Sequence, residues 1–285
     1  MSLIATAPLA GRIALVTGAG RPRGIGRSIA LALADAGADV VVTDVGRARA
    51  DLEVGGAGLG DDPADLEESA ALVRRRGRRS LAVGLDVTDE EAVSAAIDRV
   101  RSEWGVVDVL VNNAGTGVGT GPFLDVTDAQ LGVSWQVNVL GQVHLARAVL
   151  PGMIDAGRGS IVNIASTMGL AAAGGYGGYV LAKHAIVGLT RLLAHEFGGR
   201  GIRTNAVAPG YIFTDLGEAE LRLTATRLGI DEGTALEAML SEIPLGRAGT
   251  PEDIGAAVAW LAGDGAGFVN GAVLPVTGGQ PAGLN

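Results

Sequence analysis

Three side chains in the middle of the chain have the types and spacing to move a proton together. Tyr179 and Lys183 stand four residues apart near the start of a helical pattern, Tyr176–Phe197, which places phenol and ammonium on one helix face. Free tyrosine titrates near pH 10, so a base useful near pH 7 needs its pKa lowered by about three, roughly 4 kcal/mol. A neighbouring ammonium acts in that direction, as would a cationic ring bound alongside. Ser166 precedes Tyr179 by thirteen residues and follows the apolar run Gly159–Ala165. Its hydroxyl could donate to a carbonyl oxygen while Tyr179 gives or takes the proton. Taken singly, a Tyr four before a Lys is a common accident and a Ser after a strand is a common turn residue. Together they describe acid–base chemistry on an alcohol or carbonyl oxygen. Tyr176 is a weaker candidate for the same role, because Val180 stands where its lysine would be.

The elements that must position these groups alternate regularly. Strands are expected at Arg12–Thr17, Asp39–Asp44, Ser80–Asp86, Val107–Val111, Gly159–Ala165, Ile202–Ala208 and Gly271–Val276. Between them helical patterns cover Gly24–Ala36, Pro63–Arg76, Asp89–Trp104, Asp128–Asp155, Tyr176–Phe197 and Pro251–Ala262. Runs such as Val40-Val41-Val42 are apolar on both faces, as parallel strands covered by helices on both sides require. The expectation is an α/β chain with one domain over residues 1–285, a doubly wound parallel sheet of about seven strands in a Rossmann-type layer sandwich. Ligands of such sheets bind outside the carboxyl ends of the strands, which is where Ser166 falls.

The first strand ends at the same edge, in Thr17-Gly18-Ala19-Gly20-Arg21-Pro22-Arg23-Gly24-Ile25-Gly26, followed by a helix. Glycines there allow a tight turn and close approach to a pyrophosphate, with the N–H groups of the helix N-terminus facing the anion. A glycine cluster is weak evidence alone in a chain with 46 glycines; the strand before and helix after strengthen it. Asp44, closing the second strand beside Val45, could accept hydrogen bonds from ribose hydroxyls and would repel a 2′-phosphate, favouring NAD. NADP is the alternative, because Arg21, Arg23 or Arg47 could neutralise that phosphate. Asp86 and Val87 close the third strand beside the expected adenine position, although Asp86 could equally cap the next helix.

The chain resembles the short-chain dehydrogenase/reductase family, in its short single-domain branch. The resemblance rests on the Thr17–Gly26 turn, Asp44, Asp86, Asn112-Asn113-Ala114-Gly115, Asn138, Ser166, Tyr179, Lys183 and Pro209-Gly210 followed by Thr214. It implies strand order 3-2-1-4-5-6-7 and hydride transfer to or from a nicotinamide. By the same analogy Asn138, Ser166, Tyr179 and Lys183 are catalytic, with Asn138 holding a water that relays protons from Lys183. Gly18, Arg21, Arg23, Gly24, Ile25 and Gly26 would hold the phosphates, with Asp44, Val45, Asp86 and Val87 around the adenosine. Asn113, Ala114 and Gly115 would line the cleft, and Lys183, with Tyr179, would contact the nicotinamide ribose. Ile212 and Thr214 would meet the carboxamide, and Pro209 and Gly210 would also contact the cofactor. The chain departs from the family in Arg21-Pro22, an apparent insertion, and in a long stretch Val45–Pro63, with Val54–Asp62 Gly-rich, that could fold over the adenosine.

Composition excludes several other functions. The net charge of −9 and pI near 4.8 oppose a nucleic-acid partner. With no cysteine there are no disulfides, thiolate metal sites or cysteine nucleophiles. His144, His184 and His195 lack ligand spacing, so no metal is expected. Met1–Ala10 does not read as a signal peptide and no apolar run is long enough to span a membrane, so a cytoplasmic location is expected. A lid at about 215–247 carries Leu216, Leu221, Leu223, Leu228, Leu236, Met239 and Leu240 at helical spacing, with its acids read as the solvent face. Its only basic residues are Arg222, Arg227 and Arg247, which favours a small neutral secondary alcohol or ketone as substrate. Two other readings stand beside this one: an NADPH-dependent 3-oxoacyl thioester reductase, and a dinucleotide sensor without catalysis. A sensor has no need of the intact Ser166/Tyr179/Lys183 set. Family members usually associate through the helices corresponding to Asp128–Asp155 and Tyr176–Phe197, which implies a dimer or tetramer.

Overall fold

Alternate residues of the central strands serve opposite cores, and this makes the sheet a buried middle layer. In β1 (Ile13–Thr17), Ala14 and Val16 pack on one face of the sheet and Ile13 and Leu15 on the other. In β2 (Asp39–Asp44), Val40 and Val42 face the first core and Val41 the second. The computed structural model describes residues 7–46, 52 and 62–280. Its strands continue as β3 (Ser80–Gly84), β4 (Val109–Asn112), β5 (Gly159–Ile164), β6 (Ile202–Pro209) and β7 (Val273–Val276). All seven are parallel, in the order β3-β2-β1-β4-β5-β6-β7. Helices α1 (Ile25–Asp35), α2 (Pro63–Arg75) and α9 (Pro251–Ala262) cover one face. Helices α3 (Glu90–Glu103), α5 (Gly141–Ala156) and α6 (Gly177–Phe197) cover the other. The doubly wound α/β sheet expected from the alternation is the fold observed.

Differences from the sequence expectation fall where side chains override the pattern. β3 stops at Gly84 instead of Asp86, because Asp86 is used in a turn, accepting from the Thr88 N–H and hydroxyl. The N-cap of α3 is Asp89, which accepts from the Ala92 N–H, so Asp86 does not cap it. The helix expected over Asp128–Asp155 is interrupted. A short α4 (Asp128–Trp135) gives way to a π-turn at Gln136–Leu140 before α5 begins. Asn138 lies in that turn, fully buried. Its Oδ1 accepts from the Thr116 N–H at 2.9 Å and its Nδ2 donates to the Thr116 carbonyl at 3.0 Å. An amide that captures a neighbouring backbone this way accounts for an extra residue in the turn, a device found frequently at functional sites.

Of the long stretch between β2 and α2, only Val45, Gly46, Leu52, Asp62 and Pro63 are described. Leu52 is buried against Val137, and Asp62 caps α2 by accepting from the Ala64 N–H. The remainder, Arg47 and most of the Val54–Asp62 segment included, lies outside the described residues.

The close contact between the β1–α1 turn and the end of β4 depends on one missing side chain. A Cβ at Gly26 would lie 2.1 Å from the Gly18 carbonyl oxygen and 2.6 Å from Asn113 Nδ2. Gly26→Ala is therefore expected to destabilise the protein by about 1–3 kcal/mol through overpacking. That loss is read as a fall of several degrees in Tm; an unchanged Tm would show that the turn relaxes without cost.

Candidate active site

The register of the sheet brings the carboxyl ends of its strands to one level. Thr17 pairs with Thr43, Val16 with Val111, Asn112 with Asn163, Ile164 with Val207 and Pro209 with Val276. Loops leaving these ends surround a cleft of about 900 Å³, within the usual size range of ligand sites.

At one end of the cleft the glycine turn is tied down from both sides. Gly18 has φ +66°, a left-handed conformation that suits glycine. The Thr17 hydroxyl accepts from the Asn113 and Ala114 N–H groups, both at 3.0 Å, and Asn113 Nδ2 donates to the Thr17 and Gly18 carbonyls. Buried Arg27 donates to the Gly20 and Asp65 carbonyls and to Ser69, joining the turn to α2. The N-cap of α1, Gly24, supplies no side-chain cap, and the first turn of that helix holds no acid. Its N–H groups and positive dipole end thus face the cleft without a competing carboxylate of their own helix. Asp44 accepts from the Gly20 and Val45 N–H groups, both at 2.8 Å, which orients its carboxylate at the cleft wall. Gly18, Arg21, Gly24, Ile25, Asp44, Val45, Asp86 and Val87 all line this half.

Two residues expected here are placed differently. Gly26 lies behind the turn, where it permits the packing described above. Arg23 turns away to the lid helix α7 (Asp215–Leu228), where it pairs with Asp215 and Glu218. These acids hold the guanidinium strongly ionised, with its pKa pushed further up by the Glu218 and Asp215 hydrogen bonds.

The other half holds the residues expected from the sequence to transfer the proton. Asn113, Ala114, Gly115, Asn138, Ser166, Tyr179, Lys183, Pro209, Gly210, Ile212 and Thr214 all line it. Ser166 lines the cleft with Tyr179, whose phenol its hydroxyl pulls toward lower pKa, and itself accepts from the Met168 N–H at 3.1 Å. The Lys183 ammonium donates to the Ile164 carbonyl at 2.9 Å and lies 5.4 Å from the centre of the Tyr179 ring. Burial pushes the Lys183 amine down to about 8 and the Tyr179 phenol up to about 12; the Ser166 hydrogen bond opposes that rise and the charge of Glu220 adds to it. The expected drop of the phenol is thus not produced by these protein groups. Lys183 directs its proton to a backbone carbonyl, and burial decides the direction at the phenol. Thr214 caps α7 by accepting from the Gly217 N–H at 3.0 Å.

A family profile described as enoyl-(acyl carrier protein) reductase matches residues 51–280. Cyclohexanol dehydrogenase from Rhodococcus sp. (strain TK6) is 36% identical, over 95% of this chain and 97% of that protein. The chain belongs to the short-chain dehydrogenase/reductase family. Cis-4-hydroxycyclohexanecarboxylate dehydrogenase from Sinomonas cyclohexanicum is also 36% identical, over 95% of this chain and 97% of that protein. Among solved structures, carveol dehydrogenase from Mycobacterium avium in complex with NAD superposes with TM-score 0.88 at 33% identity, covering 96% of this chain and 99% of that one.

Within this family frame, several residues that sequence reasoning passed over now matter. Glu220, read as part of the solvent face of the lid, lines the cleft and accepts a hydrogen bond from the Tyr176 hydroxyl. Tyr176, weighed only as a rival to Tyr179, is its partner. Arg27 and Ser69, in helices read only for their periodicity, brace the glycine turn. One signal lay in plain sight: Lys183 is the only lysine in the chain, and the other 21 basic residues counted with it are arginine. Arginine cannot give up its proton, whereas a buried lysine titrates in a useful range. Lysine-selective 15N NMR should therefore show one side-chain signal with a midpoint near pH 8 in place of the ordinary 10.5. A midpoint at 10 or above would show that the amine is not desolvated.

Proposed function

We propose that this chain is an NAD-dependent dehydrogenase of a small neutral secondary alcohol, reducing the corresponding ketone in the reverse direction. The observation that carries the reading is the convergence of Ser166, Tyr179 and Lys183 in the cleft that Asp44 borders. The residues present fit a dinucleotide: an uncapped helix end for the pyrophosphate, with Gly18, Arg21, Gly24 and Ile25 around it, and a carboxylate for the ribose hydroxyls. Asp86 and Val87 would border the adenine, and Asn113–Gly115, Pro209, Gly210, Ile212 and Thr214 the nicotinamide. Asp44 disfavours a 2′-phosphate, and Arg23 is committed to Asp215 and Glu218, which leaves it poorly placed to offset that repulsion. NAD is the preferred cofactor and NADP the alternative.

When bound, NAD supplies the hydride acceptor and a positive ring. Ser166 would donate a hydrogen bond to the reacting oxygen and hold it against Tyr179. In oxidation the phenolic oxygen takes the alcohol proton; in reduction it returns that proton to the ketone. Lys183 would bind the ribose and keep a positive charge near the phenol, and Asn138, whose side chain fixes the Thr116 backbone, would hold a water that relays protons from Lys183. On the α7 side of the cleft Glu220 and Glu242, with Asp215 already paired to Arg23, stand against Arg227 alone, which supports a substrate without negative charge. We further propose a cytoplasmic homo-oligomer, a dimer or tetramer, in which the exposed Trp135, Leu181 and Leu192 are covered.

Purified protein with NAD and a panel of secondary alcohols that includes cyclohexanol should raise absorbance at 340 nm. Tyr179→Phe should cut kcat by about 10²–10⁴-fold. Equal rates in the two proteins would overturn the mechanism, and tight NAD binding without turnover of any alcohol would favour the sensor alternative. The pH profile gives a second check. Oxidation needs the deprotonated phenol, so its kcat/KM should climb with pH on the alkaline side. The Glu220 charge raises the Tyr179 pKa, so Glu220→Gln should move that climb to lower pH; no movement, or movement upward, would contradict the electrostatic assignment.

A further inference from the structure

The lid side of the cleft contains polar groups that proton transfer at Tyr179 does not use. Glu220, on the inner side of α7, accepts from the Tyr176 hydroxyl, and that bond aims its carboxylate. Arg227, one turn or more further along α7, is partly diverted, donating to the Gly174 carbonyl at 2.7 Å. Tyr211, in the loop after β6, is 5% exposed and lines the same cleft, and its hydroxyl has no hydrogen-bond partner among the described residues. A buried phenol hydroxyl without a partner is costly unless a ligand or water completes it. A half-buried carboxylate carrying one hydrogen bond still has lone pairs to offer. Glu220 and Tyr211 both line the cleft that holds Tyr179, and the Tyr211 hydroxyl, closed off in the cleft wall, lacks a partner among the described residues; a carboxylate acceptor and a phenol donor together suit a hydroxyl group.

We infer that Glu220, oriented by Tyr176 and joined by Tyr211, is a second substrate subsite that binds an additional hydroxyl, so that the preferred substrate is a small uncharged diol oxidised at one of its two carbinols. The inference rests on the dehydrogenase reading proposed above and narrows its substrate class. In this arrangement the substrate's second hydroxyl donates to Glu220 and accepts from Tyr211, while its reacting hydroxyl meets Ser166 and Tyr179. Glu220 and Tyr179 line the same cleft, and the Glu220 charge acts on the phenol, so the two hydroxyls belong to one small molecule. A molecule of one six-membered ring fits that arrangement better than a long chain. The same carboxylate, with Glu242 on the cleft wall, repels an alcohol that bears a carboxylate in place of the second hydroxyl.

The test compares kcat/KM with NAD for cyclohexanol, cyclohexane-1,3-diol and cis-4-hydroxycyclohexanecarboxylate, in the wild type and in Glu220→Gln, Glu220→Leu and Tyr211→Phe. In the wild type the diol should exceed cyclohexanol by at least about tenfold, as expected for a hydrogen bond to a charged group, and the carboxylated alcohol should be the poorest. Glu220→Leu should bring the diol-to-cyclohexanol ratio to about one, with the loss mainly in KM. Tyr211→Phe should lower the ratio several-fold. Glu220→Gln should raise kcat/KM for the carboxylated alcohol relative to cyclohexanol by about tenfold, because it removes the charge and keeps the shape. Should Glu220→Leu fail to fold by circular dichroism, the Gln and Phe variants decide the matter by the same ratios. Oxidation of cyclohexanol with no diol preference in the wild type would overturn this inference and leave the dehydrogenase reading standing. A diol preference that survives all the folded variants would also overturn it. No oxidation of any of the three alcohols would overturn the dehydrogenase reading, and this inference with it.

Discussion

The hydrogen bond from the Lys183 ammonium to the Ile164 carbonyl sets the relation between α6 and the carboxyl end of β5, and the rest of the site is arranged around it. One turn before Lys183 on α6 stands Tyr179; two residues past Ile164 stands Ser166. Clipping helix to strand at this point brings the phenol and hydroxyl to the same cleft without any further device. The bond also satisfies a charged group that is 5% exposed, which would otherwise carry an uncompensated burial cost. The carbonyl is available because β5 ends there, with its neighbour β6 paired only as far as Ile164↔Val207 on that side. Sheet register, helix placement and proton chemistry thus meet in one 2.9 Å contact.

The opposing movements of the two pKa values follow from the same burial. Desolvation disfavours charge on either group, so it lowers the amine and raises the phenol. A protein that keeps both groups dry keeps the phenol protonated until a positive charge arrives beside it. This couples proton transfer to the redox state of whatever cation binds in the cleft. Glu220 strengthens that dependence by adding negative charge on the lid side of the phenol. The lid is held in turn by Arg23, whose pairing with Asp215 and Glu218 joins the glycine turn to α7. Both pairs are half-exposed, so each bond alone is worth little; their importance is geometric, since they span the mouth of the cleft.

Much of the scaffold was legible because periodicity reports burial directly. The double-faced apolar runs at Val40–Val42 and Val109–Val111 admit few structures other than covered parallel strands, and those strands form. Ser166, Tyr179 and Lys183 were legible as a set because their spacing suits a strand end followed by a helix. The π-turn at Gln136–Leu140 was not legible, since its cause is the capture of the Thr116 backbone by Asn138 across 22 residues of chain. Neither was the direction taken by Arg23, which is decided by acids near position 215, about 190 residues away. Glu220 was misread because helical spacing assigns a face by hydropathy, and a carboxylate counts as outward unless a partner is known. Its partner, Tyr176, lies on another element altogether.

That misreading has a general physical cause, and it bears on where specificity resides in this molecule. Groups that hold the fold are apolar and periodic, and they are read from one segment at a time. Groups that recognise a ligand are polar and buried, and their burial is tolerated only because partners from other segments complete them. Glu220 and Tyr176, like Arg23 and Asp215, are completed across the boundary between lid and scaffold. The proposed catalytic residues Ser166, Tyr179 and Lys183 instead lie just past β5 and on α6, at the edge of the sheet sandwich, where packing allows little variation. On the proposed subsite, such a chain would change its alcohol by changing α7 and the loop after β6 while the Lys183–Ile164 contact stays untouched. On the proposed assignment, chemistry and selectivity would be carried by different parts of the structure, and only the first is inscribed in a short, readable spacing.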